Sequence, residues 1–71
     1  MTLTVNGSSV EARESSTVRQ LLVDRKVKMP EMVSVELNGE ILERSGFDTT
    51  TLKQGDKVEF LYFMGGGNGA Q

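Results

Sequence analysis

Polar and apolar residues alternate from the first residues of the chain. Leu3 and Val5 share one side of an extended segment and Thr2 and Thr4 the other, the two-residue period of a half-buried strand. Asn6-Gly7 follows. Both residue types accept the positive φ that a tight primed turn requires, so Val10 and Ala12 read as the return strand of a hairpin. The Ser15-Ser16-Thr17 cluster stops that strand, and the period changes to that of a helix. Val18, Leu21 and Leu22 form one apolar stripe, and Thr17 with Gln20 fits a capping box ahead of it. Arg25, Lys26 and Lys28 fall where positive charge favours a helix C-terminus, and Pro30 forbids much continuation. The pattern predicts a helix from Val18 to Arg25 or Lys26.

The second half returns to the strand period. Val33, Val35 and Leu37 alternate with Ser34 and Glu36, Asn38-Gly39 turns the chain, and Glu40-Ile41-Leu42 is a brief fourth strand. Residues 43–52 show no period, and Phe47 and Leu52 read as anchors that pin an irregular loop or short 3₁₀ turn to the core. After the turn Gln54-Gly55-Asp56, Lys57 to Phe63 is the strongest strand. It carries Val58, Phe60 and Tyr62 on one face and Glu59, Leu61 and Phe63 on the other. One helix covers only one face of such a sheet. The order therefore predicts an α+β roll, with one main helix packed on a mixed sheet of four to five strands. The last strand, the most apolar, is placed centrally and parallel to the first, which is the β-grasp arrangement. If Val58 and Phe60 face the core, Leu61 and Phe63 lie on the open face and offer a docking surface.

Composition limits what chemistry such a domain can do. The chain has 71 residues, is 37% apolar, and contains neither Cys nor His. Disulfides, thiolate metal sites and imidazole bases are excluded, and Tyr62, the Ser/Thr residues and scattered carboxylates form no recognisable catalytic constellation. The expectation is a protein that is not an enzyme, with no metal and no bound cofactor. A net charge of −2 is a poor footprint for nucleic acid. That charge is uneven, net +3 from Arg13 to Lys28 and net −4 from Glu31 to Glu59, so the later half would suit a basic partner surface. No signal-like or membrane-spanning stretch is read from the sequence, the longest apolar run being Phe60 to Met64, and the expected location is the cytoplasm, with no membrane partner. Asn6-Gly7-Ser8 matches a glycosylation sequon, but without a secretory signal it reads as a turn.

The remaining segment is Met64-Gly65-Gly66-Gly67-Asn68-Gly69-Ala70-Gln71, half of it Gly and none of it large and apolar after Met64. It has too little to bury to recover its ordering entropy. This divides the chain into a folded domain over 1–64 and a flexible Gly-rich tail over 65–71. Gly65-x-Gly67-x-x-Ala70 imitates a dinucleotide fingerprint, but no helix follows to hold a phosphate. The alternative to a frayed end is an arm that threads a narrow channel, for which Gly is suited because backbone can approach closely where there is no Cβ.

Several segments together carry a family resemblance. They are the Val-Asn-Gly hairpin, Ser-Thr-Val-x-x-Leu-Leu (Ser16 to Leu22), Val-x-Leu-Asn-Gly-Glu-Ile-Leu-x-Arg (Val35 to Arg44), Phe47, Leu-x-x-Gly-Asp (Leu52 to Asp56) and Val-Glu-Phe-Leu-Tyr-Phe-Met-Gly-Gly-Gly (Val58 to Gly67). In this order they resemble the ubiquitin-like sulfur-carrier proteins of bacteria, of the ThiS kind, with the MoaD kind a more distant relative. The resemblance covers residues 1–67. It implies a β-grasp fold and a carrier whose C-terminal Gly carboxylate is adenylated by a partner related to ubiquitin-activating enzymes, which uses ATP and Mg. A sulfur donor, a sulfurtransferase or desulfurase, then makes a thiocarboxylate, and a synthase such as thiazole synthase accepts the sulfur, in thiamine thiazole synthesis or another sulfur-transfer pathway. Counted from the Gly55-Asp56 turn, Gly67 bears the reacting carboxylate. Met64, Gly65 and Gly66 lead into the partner's channel, and Glu59, Leu61 and Phe63 form the docking patch. The carrier is expected to be a monomer when free.

The chain departs from the family pattern after Gly67. Asn68, Gly69, Ala70 and Gln71 follow, so Gly67 carries an amide where the chemistry needs a free carboxylate. The resemblance then implies a precursor whose residues 68–71 are removed, as in relatives matured by a zinc metalloprotease of the JAMM type. Two other readings stay open: a ubiquitin-like modifier conjugated to lysines through Gly67, and a stand-alone binding module with an inert tail. Arg44 matches the family motif, and a structural ion pair with a nearby carboxylate is its expected role.

Overall fold

A computed structural model describes residues 1–28 and 30–62. Strands β1 (Thr2–Val5) and β2 (Ser8–Glu11) precede helix α1 (Val18–Asp24) and a 3₁₀ turn over Pro30–Met32. Strands β3 (Val33–Leu37) and β4 (Glu40–Leu42), a second 3₁₀ turn over Arg44–Gly46, and β5 (Lys57–Tyr62) complete the order. The five strands form one sheet in the order β2-β1-β5-β3-β4, with β5 parallel to β1 and antiparallel to β3. This is the expected β-grasp roll, with the last strand at its centre.

Both hairpins turn on Asn-Gly, and both turns are left-handed throughout. Asn6 and Gly7 have φ of 50° and 84°, and Asn38 and Gly39 have φ of 53° and 89°, as a primed two-residue turn demands. Each Asn also reaches the central strand. The Phe60 N–H donates to Asn6 Oδ1 at 2.8 Å, and the Lys57 N–H donates to Asn38 Oδ1 at 2.9 Å. The flanking backbones add two more bonds, from the Asn6 N–H to the Val58 carbonyl (2.9 Å) and from the Asn38 N–H to the Lys57 carbonyl (2.7 Å). Side-chain carbonyls thus continue the ladder of β5 where its neighbours turn away. The entry to β5 is fixed in the same manner. Gly55, at φ 87°, donates to the Thr2 carbonyl, Thr4 donates to the Asp56 carbonyl, and the Asp56 carboxylate accepts from the Lys53 N–H and from Asn38 Nδ2.

Helix α1 starts as its sequence predicts. Thr17 is the N-cap and both halves of the capping box are present. Its end differs from expectation in one respect: Pro30 does not stop it. Lys26 takes φ 56°, its N–H donates to the Val23 carbonyl and the Val27 N–H to the Leu22 carbonyl. That is a Schellman motif with Lys where Gly is usual, and it turns Val27 back onto the core. The basic residues accordingly follow the helix instead of occupying its last turn.

The core joins Leu3, Val5, Val33, Val35, Val58 and Phe60 from the sheet to Val18, Leu21 and Leu22 from the helix, and to Phe47 and Leu52. Residues 43–52 therefore pack on the helix side. They also satisfy helix donors that have no partner within α1: Val18 N–H donates to the Thr50 carbonyl and Arg19 N–H to the Phe47 carbonyl. Phe47, 1% exposed, has two guanidinium groups near its ring, with Arg19 Cζ at 5.6 Å and Arg44 Cζ at 5.7 Å from its centre. Arg44 does not form the expected ion pair among the described residues. Its Nη1 donates to the Pro30 carbonyl at 2.8 Å, tying the first 3₁₀ turn to the second.

Phe47→Ala should cost about 3–5 kcal/mol. That matches the whole stability typical of such small cores, about 3–5 kcal/mol, so far-UV circular dichroism should show a largely unfolded chain at 25 °C. Asn6→Gly keeps the turn conformation but removes the acceptor of the Phe60 N–H. It should stay folded and lose about 1–2 kcal/mol in urea titration.

Candidate functional site

Strand alternation divides β5 between two environments. Val58 and Phe60 are buried beneath the helix, whereas Glu59 is half-buried and Leu61 is 38% exposed on the uncovered face. Tyr62 belongs to the helix side but is exposed, because the sheet thins at that end. Two of the three residues of the expected docking patch, Glu59 and Leu61, are thus on the open face. Phe63 lies outside the described residues, as do Met64, Gly65, Gly66, Gly67 and the expected propeptide Asn68, Gly69, Ala70 and Gln71. The 43–52 loop packs on the other side, through Phe47 and Leu52.

Two further residues share the open face and escaped the sequence reading. In the register of the sheet Glu36 pairs with Glu59 on one side and with Ile41 on the other. Ile41 is 62% exposed. One row across the sheet therefore reads Ile41, Glu36, Glu59, and the next row reads Ser34, Leu61. The signal for Ile41 was available, since an inward Leu42 requires an outward Ile41. Alternation with Val33 and Val35 likewise puts Glu36 on this face, but its opposition to Glu59 was not legible, because the β3–β5 register cannot be read from the alternation of either strand alone.

Nothing in this region resembles a catalytic centre. Among the described residues no group of three or more metal-ligating side chains converges. A depression of about 500 Å³ lies between β2 and the helix, where the bidentate Arg13–Asp24 pair sits at its margin. A smaller one of about 240 Å³, lined by Asn6, Arg25, Val27, Phe60 and Tyr62 among others, borders the end of β5. What the described residues provide is a central strand with one buried face and one face without a covering layer. No helix among the described residues is long and apolar enough to cross a membrane.

Comparison with known proteins decides what this scaffold is. The family described as "ThiS family" matches residues 2–67, almost the whole chain. The chain belongs to the ThiS family. The crystal structure of the thiamine biosynthesis protein ThiS from Geobacter metallireducens superposes with a TM-score of 0.82 at 61% identity, covering 94% of this chain and 100% of that one. The solution structure of a thiamine biosynthesis protein from the same organism gives a TM-score of 0.77 at 61% identity, over 96% and 90% of the two chains. Two thiazole synthases are also similar. That of Paramagnetospirillum magneticum is 37% identical over 96% of this chain, and that of Magnetococcus marinus is 31% identical over 94%. The chain spans only 21% and 20% of those relatives, so in them a ThiS-like segment is joined to a much longer remainder.

If the uncovered face of this ThiS family member is surface and not core, Leu61→Asp should change stability by no more than about 1 kcal/mol in thermal or urea unfolding. Phe60→Asp, one residue away on the other face, should abolish the cooperative transition.

Proposed function

We propose that this chain is a sulfur carrier of thiamine biosynthesis, a protein co-substrate and not a catalyst, with Gly67 as its working end. The observation that carries the reading is the extent of the family match. It runs from the first strand to Gly67 and stops there, four residues before Gln71. The fold supports the same reading, since the central strand β5 ends at Tyr62, three residues before Gly65 in the sequence.

The chemistry assigns each part a task. A carboxylate is a poor electrophile. A partner related to ubiquitin-activating enzymes, using ATP and Mg, joins the Gly67 carboxylate to AMP and releases pyrophosphate. The outer sulfur of a persulfide on a sulfurtransferase or desulfurase then attacks the acyl carbon and AMP leaves, giving an acyl disulfide. A second thiol attacks the donor's sulfur in that S–S bond, a disulfide forms on the donor side, and the thiocarboxylate is released. Met64, Gly65 and Gly66 present no bulky branched side chain to a narrow channel. Glu59, Leu61 and Phe63 dock the carrier beside it. The thiazole synthases that contain a ThiS-like segment support a thiazole synthase as the acceptor of the sulfur, because covalent joining raises the effective concentration of two modules that act on each other. Residues 68–71 must first be removed, and a JAMM-type metalloprotease has suitable chemistry for that hydrolysis. The whole cycle is placed in the cytoplasm.

Intact-mass analysis of the chain isolated from its own cells tests this directly. The expected result is a species ending at Gly67, a fraction of which has one carboxylate oxygen replaced by sulfur. Chains found only at full length, or Gly67 found only in isopeptide linkage to lysines, would sink the proposal. With the chain ending at Gly67, Leu61→Asp should reduce ATP-dependent adenylation at least tenfold while the variant remains folded.

A further inference from the structure

The open face of the sheet carries an arrangement that folding alone does not favour. Glu36 on β3 and Glu59 on β5 are direct cross-strand partners. Such partners have Cβ atoms about 4.5–5.5 Å apart, and like charges placed this way repel. Both side chains are half-buried. Neither has an ion-pair partner among the described residues, although Lys57 stands two positions before Glu59 on the same face. The pair is also bracketed by apolar surface, with Ile41 beside Glu36 and Leu61 diagonal to it beyond Ser34. A solvated charged face would have no reason to hold two exposed large aliphatics around two unneutralised carboxylates at the middle of a five-stranded sheet.

We propose that this face is a slot for one cationic side chain, an arginine, presented by the adenylating partner from within an apolar surround. A guanidinium placed over the Glu36–Glu59 pair would neutralise both carboxylates at once, with N–H donors for each. Ile41 and Leu61 would close over its rim and exclude water, which strengthens the charge contact. The net −4 between Glu31 and Glu59 adds long-range attraction for such a basic surface. The repulsion within the free carrier is relieved only in the complex, so the pair contributes to binding at the expense of the unbound fold. This inference rests on the carrier reading above and extends it by naming Glu36 and Ile41, and the charge of what meets them.

The test measures binding of the adenylating enzyme from the same organism to the chain ending at Gly67, which keeps every contact of the described fold. Glu36→Gln and Glu59→Gln should each weaken binding about tenfold and flatten its dependence on salt. Each should also raise the melting temperature by about 2–5 °C, because a cross-strand repulsion is removed. Glu40→Gln makes the same change in net charge on the other side of β4 and should leave the affinity unchanged. Full affinity in both Glu36→Gln and Glu59→Gln overturns the slot while leaving the carrier function standing. So does an equal loss in Glu40→Gln, which would make the effect one of net charge. A wild-type chain that neither binds nor becomes adenylated overturns the slot and the carrier reading together.

Discussion

The hydrogen-bonding demand of β5 organises the molecule. A central strand has two edges, each with a row of N–H and C=O groups that must be met. Here the two edges are served by strands from distant parts of the sequence, β1 in parallel and β3, from the middle of the chain, in antiparallel register. Neither neighbour is long enough to do this by backbone alone. The two Asn-Gly turns complete the pairing with side-chain oxygens, one at Phe60 and one at Lys57. A residue type selected for tolerating positive φ thus also closes the ladder. The turn at Gly55-Asp56 sets where that ladder starts, and through it the position of every residue on the strand up to Tyr62.

With β5 fixed, the two faces of the sheet diverge. The helix, Phe47 and Leu52 are all spent on one side, where the buried side chains of the core meet. The 43–52 segment contributes twice there, filling the core and accepting from the first N–H groups of the helix. Arg19 and Arg44 each bring a guanidinium near the buried Phe47 ring. The described residues place no second layer on the other side. The bare face is the geometric consequence of a five-stranded sheet covered by one helix, and the residues found on it are free of the demands of packing.

The sequence carried the architecture well because its strongest signals are local: two Asn-Gly turns, one capping box, and a clear switch of period at Thr17. The central position of β5 was legible from its apolar character, and the exposure of Leu61 from alternation. What escaped was whatever depends on pairing between distant strands. The opposition of Glu36 to Glu59 needs the β3–β5 register, and the bonds from Asn6 and Asn38 to β5 need both ends of the chain in place. Arg44 shows a related limit: a cation in a sequence invites a search for a carboxylate, whereas here it meets a carbonyl and an aromatic ring. Helix α1 stopped at a Schellman motif on Lys26 because the αL conformation there returns Val27 to the core, a gain that no propensity for Lys announces.

The order in which the strands are made has a consequence for biosynthetic quality. The centre of the sheet is the last strand to leave the ribosome, and its parallel partner is the first. A nascent chain therefore holds two hairpins with no strand to join them until β5 has emerged, and the long-range closure comes at the end. A chain that terminates early lacks the central strand, cannot form the core, and is left to proteolysis. Any copy that has folded has by that fact been translated through Tyr62, to the threshold of its Gly-rich segment.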